Sequence, residues 1–369
     1  MFLSKRLLSI KDIMIVKKDI LHTSTYEPNH LLFEPGSMAF DIETTGFSPK
    51  YATIYLIGMV YFDMSESELV HEQWFCEKAG DEYELLFKFN TQLKKYNRIY
   101  HFNGDQFDLP FIKGRMALYK MDCPSYTSYD LLKIVRPFKK TLELDNLKLK
   151  TLEKYFGYDR HDPFTGGDLI QVYEVYMDTK DSKLLQTLLL HNYEDLLGLV
   201  GVITHMPLFN LLKQMKEETL DINEIYGYDD DDVYVIQFPI SDLVNQGFDL
   251  ALYKLEIHHP LCTLRVPIRR DNLKYYFPNP KDYYYLTTEG YAVHKSVGKY
   301  VDPCHKVQAT KENCYIHKEG HFLPAFKHLN LPLNYYYENY TDVQGYVCLD
   351  DLATEDDLVL YVRRLLTLL

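Results

Sequence analysis

The sequence predicts an α/β protein: a mixed sheet flanked by helices, followed by a β-rich C-terminal domain. Three observations carry this reading. Three short aromatic and aliphatic runs follow one another between residues 37 and 77, and helical and strand patterns then alternate up to about residue 207. The remaining chain is rich in Tyr and punctuated by Gly, Pro and Asn.

Taken in order, residues 37–43 (SMAFDIE), 54–63 (IYLIGMVYFD) and 73–77 (QWFCE) read as strands of an antiparallel meander, with the lone Trp74 placed in the core. From Asp81, DEYELLFKFNTQLKKY has acids in its first turn and apolar residues at helical spacing, and RIYHFNG from Arg98 returns to a strand. A helix from about Phe107, a strand near Tyr129 and helices over 142–156 and 182–204 complete the first part. After Pro207, KQMKEETLDINEIYGYDDDDV is acidic and weakly periodic, a helix tail running into a linker. The expected organisation is an N-terminal extension (1–35), an α/β domain (36–207), an acidic linker (208–232) and a Tyr-rich β domain (233–369) ending in the amphipathic helix EDDLVLYVRRLLTLL. At 369 residues the chain exceeds what one core usually supports, which agrees with two domains.

Composition narrows the class. With 46% hydrophobic and 25% charged residues the chain has enough apolar side chains for packed cores, so it is not a disordered one. The N-terminal stretch MFLSKRLLSIKDIMIVKKDI mixes Lys and Arg into every apolar run, unlike a signal peptide or a membrane span, so a cytoplasmic location without membrane contact is expected. Cys76, Cys123, Cys262, Cys304, Cys314 and Cys348 are scattered, which favours reduced thiols over a disulfide framework. A formal charge of −13 argues against strong non-specific binding to nucleic acid, so any such contact must be local or bridged by metal.

Three motifs can carry chemistry. In FDIETTGF, Asp41 and Glu43 stand two apart on a strand and project from one face. Two acids in an apolar strand are costly through desolvation and repulsion unless cations neutralise them, and hard divalent cations do so; two acids at a strand end is the plain alternative. In HFNGDQFDLPFI a strand ends at Asn103-Gly104 and Asp108 enters the first turn of a helix, where it either complements the helix dipole or faces a site at the sheet edge. In LLLHNYEDLLGLV, His191 and Asp195 lie at i and i+4 on one face of an apolar helix, with Tyr193 near the opposite side; packing and catalysis both use such a pair. Thr44, Thr45 and Gly46 either form an ordinary strand-to-loop turn or let backbone groups approach a ligand.

In this order the motifs D-x-E, N-G-x-x-F-D and H-x-x-x-D resemble those of the DEDD (DnaQ-like) 3′-5′ exonucleases, which have a ribonuclease-H-like fold. Within that superfamily the resemblance is to the YprB-type group of predicted exonucleases, with YDLLKIVRP, LKLKTLEKYFGYDRHD and TGGDLI resembling its connecting text; it covers residues 36–207 and leaves the C-terminal domain outside. The resemblance implies that Asp41, Glu43, Asp108 and Asp195 bind two divalent cations, Mg²⁺ or Mn²⁺. These ions activate a water and stabilise the leaving 3′ oxygen during in-line attack on a nucleic acid, DNA or RNA. It leaves His191 to orient or deprotonate that water, although His at this spacing matches neither of the two well-described subclasses. Thr44, Thr45, Gly46 and Asn103 are the residues expected to meet the terminal nucleotide. A non-catalytic nucleic-acid or protein-binding scaffold, and a structure-specific endonuclease, are the competing readings.

In the C-terminal domain, LRVPIRRDNLKYYF and HKSVGKYVDPCHKVQATK interleave basic and aromatic residues, as a groove for a single strand does and as an amphipathic sheet also does. Cys304, Cys314, His317 and His321 are residues of a type that binds zinc, without the paired spacing of a zinc knuckle.

Overall fold

The computed structural model describes residues 14–21, 36–63, 65, 68–158 and 160–369. The chain forms two compact units, Met1–Phe209 and Asn210–Leu369.

The first unit is built on a six-stranded sheet of β1 (Met14–Leu21), β2 (Ser37–Thr44), β3 (Ile54–Asp63), β4 (Glu68–Cys76), β5 (Arg98–His101) and β6 (Thr127–Asp130), in the order β1-β4-β3-β2-β5-β6. The neighbours from β1 to β2 are antiparallel, whereas β2–β5 and β5–β6 are parallel. The expected meander is therefore present, and its third strand begins five residues before the expected Gln73. Helices cover both faces. On one side α1 (Glu82–Leu93) and α2 (Asp108–Leu118) bury Leu85, Phe89, Phe111 and Ile112 against Met38, Phe40 and Ile42 of β2. On the other, α5 (Gly166–Thr179) and α6 (Ser182–Thr204) bury Leu169, Tyr173 and Leu188 against Tyr55 and Phe75. Two short helices, α3 (Leu131–Val135) and α4 (Leu149–Tyr155), lie between β6 and α5 in the chain.

Four details depart from the expectation. Met14–Leu21, inside the expected N-terminal extension, pairs with β4 as a sheet strand, while residues 1–13 and 22–35 lie outside the described residues. The helix expected over 142–156 is shorter, Leu149–Tyr155. A helix not among those expected, α5, opens at TGGDLI, its start fixed by the Asp168 carboxylate accepting the Thr165 N–H at 2.8 Å. Residues 208–232 hold most of α7 (Met206–Lys216) and all of β7 (Tyr226–Asp230), so they are not simply a linker. In α7 the buried Leu208, Phe209, Leu211, Leu212 and Met215 lie at helical spacing. Every residue of β7 is exposed, so its strand character comes from pairing with the next strand and not from an apolar alternation.

The second unit holds a five-stranded antiparallel sheet in the order β7-β8-β11-β10-β9, where β8 is Val233–Pro239, β9 Asn245–Asp249, β10 Lys254–His258 and β11 Leu261–Pro267. A closed barrel joins β12 (Arg269–Tyr276), β16 (Tyr315–Phe326), β17 (Tyr336–Tyr337) and β18 (Gln344–Cys348) around Leu273, Phe322, Tyr336 and Cys348. A three-stranded sheet of β13 (Tyr283–Leu286), β14 (Tyr291–His294) and β15 (Lys306–Gln308), the short α8 (Lys295–Gly298) and the terminal α9 (Glu355–Leu366) complete it. Basic residues in this unit are largely engaged with acids or rings: Arg269 bonds Asp271 and Glu338, Arg270 bonds Asp232, and Lys295 and Lys306 lie over Tyr284. Among the described residues no single helix is long and apolar enough to cross a membrane.

Candidate metal centre

The alternation of β2 decides where its acids point. Met38, Phe40 and Ile42 fill the core beneath α1 and α2, so Asp41 and Glu43 project to the opposite face, where α6 crosses β2 and β3. The room for α6 comes from Gly58, the partner of Asp41 across the ladder: a Cβ there stands 2.0 Å from Asn192 Oδ1 and 2.6 Å from a Leu196 methyl. Asn192, fully buried, uses this space to donate its Nδ2 to Asp41 Oδ2 at 2.8 Å, while its Oδ1 accepts from Gln73 Nε2 at 2.9 Å.

Asp108 arrives from the parallel side of the sheet. After β5 the chain turns through Asn103 in the left-handed region (φ 62°), whose N–H bonds Asp130 Oδ1 at 2.9 Å. Gly104 then passes so close to the His101 ring that a Cβ lies 2.6 Å from it. Asp108 follows as the first residue of α2, where the backbone N–H groups of Asp108 itself and of Ile42 favour the charged form of its carboxyl.

From α6 come His191 and Asp195, one turn apart. His191 Nε2 lies 3.7 Å from Glu43 Oε1 and 3.4 Å from Asp195 Oδ2. Its Nδ1 is 2.6 Å from Asp162 Oδ2. Asp162 belongs to the loop between α4 and α5, as does Arg160, whose guanidinium reaches Asp195 at 2.5 Å, Glu153 at 3.1 Å and Asp162 at 3.1 Å.

A cleft of about 450 Å³ is lined by Asp41, Glu43, Asp108, His191 and Asp195 together. Asn103 and Thr44 also line it, and so do Phe47, Phe107 and Lys148. Thr45 and Gly46 do not: Thr45 bonds the backbone of Thr53 at 2.9 Å in both directions, and the Gly46 carbonyl accepts the Thr44 hydroxyl at 2.7 Å, so this stretch is a hydrogen-bonded turn.

The electrostatics of the cleft are those of a site short of positive charge. Burial raises Asp41 well above the usual carboxylate range and the charges of Asp195 and Asp108 raise it further, against the Asn192 bond. Glu43 is likewise raised, by burial and then by Asp41. Asp108 is pushed up to about 7 by burial, although two backbone N–H groups oppose the shift. Burial acts the same way on Asp162, yet His191, a backbone N–H and Arg160 bring it below its ordinary value. The local cation Arg160 thus serves the rim, Asp162, Glu153 and one oxygen of Asp195, while among the described residues Asp41, Glu43 and Asp108 are in no ion pair with Lys or Arg. A set of oxygen donors held charged only at such cost is what a hard divalent cation fits.

Among the described residues two groups bring His, Cys, Asp or Glu ligand atoms within 4.8 Å of one another: Glu43, His191 and Asp195, and, apart from them, His101, Asp105 and Asp130. In the second, Ser128 bonds both His101 and Asp105, Lys133 pairs with Asp105, and Asp130 accepts the Asn103 N–H through Oδ1 while its Oδ2 is buried without a hydrogen-bond partner. Cys304, Cys314, His317 and His321 form no such group, and Cys314 is buried while Cys304 is exposed. Asp162, Arg160, Asn192 and Gln73 are the site residues that motif spacing misses. Asn192 had a signal, as a polar residue three before Asp195 on an apolar helix; the Asp-Arg-His-Asp run had only its charge density.

Residues 38–207 match the family described as RNase_H superfamily. A DNA polymerase of Methanocaldococcus jannaschii is 32% identical over 108 residues, a match covering 27% of this chain and only 6% of that protein. Among solved structures, the family B DNA polymerase from the hyperthermophilic archaeon Pyrobaculum calidifontis aligns with 90% of this chain and 45% of its own, at 13% identity and a TM-score of 0.40. E. coli exonuclease I in complex with an oligonucleotide aligns with 57% of this chain and 55% of its own, at 11% identity and a TM-score of 0.34. Scores of that size carry no argument, and what the comparisons support is the family match, a ribonuclease-H-like fold over residues 38–207.

Proposed function

We propose that the first unit is a metal-dependent 3′-5′ exonuclease that hydrolyses phosphodiester bonds of single-stranded or 3′-ended nucleic acid. The observation that carries this reading is the convergence of Asp41, Glu43, Asp108 and Asp195, from three separate elements, on one cleft in which burial makes the negative charge of the first three costly. Divalent cations there supply the charge stabilisation and the activated water that phosphodiester hydrolysis needs.

The protein's own part is to fix donors. Asn192, itself held by Gln73, fixes Asp41, and the Ile42 and Asp108 N–H groups favour the charged form of Asp108. Arg160 holds Asp195 by Oδ1 and leaves Oδ2 facing the cleft residues Glu43 and His191. Phe47, exposed at the cleft beside Phe107, offers a face on which a terminal base stacks, and Lys148 offers a charge to phosphate.

The test is digestion of a 5′-labelled single strand, DNA and RNA side by side, by the full chain with Mn²⁺ or Mg²⁺. The expected result is a ladder shortening from the 3′ end that EDTA and Asp41→Asn both abolish. Internal cuts instead of a ladder would assign an endonuclease, and no cleavage of single, duplex or 3′-overhang substrates would favour a binding scaffold.

A further inference from the structure

We infer that His191 is a metal ligand through Nε2, making with Glu43 and Asp195 a mixed nitrogen and oxygen site that takes Mn²⁺ in preference to Mg²⁺, and that Asp162 is the residue that positions it. The inference rests on the metal-dependent reading above and changes the part that His191 plays in it, from a group that handles the water to one that holds the ion.

The tautomer follows from the surroundings of Asp162. Its Oδ2 meets Arg160 Nη2 at 3.1 Å and Lys150 Nζ at 3.4 Å, and its Oδ1 accepts the Phe164 N–H at 3.2 Å. A carboxylate so placed is ionised and can only accept, so the 2.6 Å contact to His191 Nδ1 has the ring as donor. In the neutral ring that leaves the lone pair on Nε2, directed toward Glu43 Oε1 at 3.7 Å and Asp195 Oδ2 at 3.4 Å. Three acceptors facing one another repel unless a proton or a metal ion lies between them, and a metal ion can take all three. Two ligands bonded to one ion at about 2.1 Å stand roughly 3.0–3.4 Å apart, close to these separations. A carboxylate that takes the far N–H of a ligating imidazole is also the usual outer partner of a metal-bound His.

Exposure argues the same way. A group that takes a proton from water must reach that water, yet the His191 side chain is 2% exposed, and both nitrogens already face carboxylates. The i, i+4 placement of His191 and Asp195 on α6 puts both donors on one helix face, the spacing by which helices commonly present paired ligands. Imidazole suits first-row transition ions, whereas Mg²⁺ favours oxygen and retains its waters, hence the expected selectivity.

The experiment is pulsed EPR on the EDTA-stripped full chain loaded with Mn²⁺, together with Mn²⁺ and Mg²⁺ titrations. Expected are ¹⁴N couplings of a coordinated imidazole on the bound Mn²⁺, lost in His191→Gln while Mn²⁺ still binds, with the preference for Mn²⁺ over Mg²⁺ falling about tenfold or more. Asp162→Asn keeps the ring and is nearly isosteric, so it tests positioning even if His191→Gln does not fold. It should retain the ¹⁴N signal and weaken Mn²⁺ binding roughly 10–100-fold. Bound Mn²⁺ without nitrogen coupling, or a coupling that survives His191→Gln, overturns the inference and leaves the nuclease reading intact. Absence of any Mn²⁺ binding overturns both.

Discussion

Arg160 Nη1 lies 2.5 Å from Asp195 Oδ1, so a guanidinium from a loop neutralises one oxygen of an α6 carboxylate whose other oxygen faces the cleft. The same guanidinium spans Glu153 and Asp162, both buried, so removing it strands several acids at once. Arg160→Ala should cost about 3 kcal/mol in EDTA, the low end for a broken buried pair because Asp195 keeps some solvent. With saturating Mn²⁺ the cost should shrink, since cations then share the load. Urea unfolding in the two conditions measures this; equal costs would show that Arg160 and the metal site are not coupled.

The raised acids set a pH dependence. Asp108 has an ordinary value of 3.8 and a folded value of about 7, so between these the metal-free native state holds a proton that the unfolded chain has released. Stability without metal therefore falls as pH rises through that window, by about 1.4 kcal/mol per pH unit for each such proton, and Asp41 and Glu43 act in the same direction. Thermal melts in EDTA should show this contribution as a difference from the Asp41→Asn protein, which should be the more stable at pH 8. Adding Mn²⁺ to the wild type near pH 7 should release protons, seen as an apparent binding enthalpy that varies with the ionisation heat of the buffer. A buffer-independent enthalpy would contradict the buried-acid account.

Gly58→Ala changes no acid and yet should damage the site. The new methyl meets Asn192 Oδ1 and Leu196 directly, so Asn192 must leave its bonds to Asp41 and Gln73 or α6 must lift. Overpacking of this kind costs about 1–3 kcal/mol. Nuclease activity should fall at least tenfold at a temperature where the variant is fully folded by circular dichroism, a displacement of ligands by about 1 Å being enough. Unchanged activity would mean that Asn192 does not set the position of Asp41.

Phe47 is 76% exposed at the cleft and rests edge-on against Phe107, which leaves ring surface open to a base entering the cleft. Phe47→Ala should weaken binding of a single strand by about 1–3 kcal/mol, with little effect on thermal stability. Fluorescence anisotropy with Ca²⁺ in place of Mn²⁺ reads affinity apart from cleavage; an unaltered affinity would remove Phe47 from the substrate path.

Local pattern alone determined much of this protein. The alternation in FDIE put Asp41 and Glu43 on one face, and the uninterrupted apolar helix over 182–204, with His191 and Asp195 one turn apart, was legible to its ends. Both follow from periodicities of two and 3.6 residues that any short window displays. Tertiary structure decided what lies far apart in sequence or lacks a period. The order β3-β2-β5 brings Asp108 beside residues of β2, and the loop after α4 folds back to set Asp162 and Arg160 against α6, about thirty residues further on. Met14–Leu21 and Tyr226–Asp230 are strands because neighbours supply their hydrogen bonds, not because their own side chains alternate. Pairing and loop return are settled by what the rest of the fold leaves open, which is why the acids that line the cleft could be picked out in the sequence and the residues bonded to them could not.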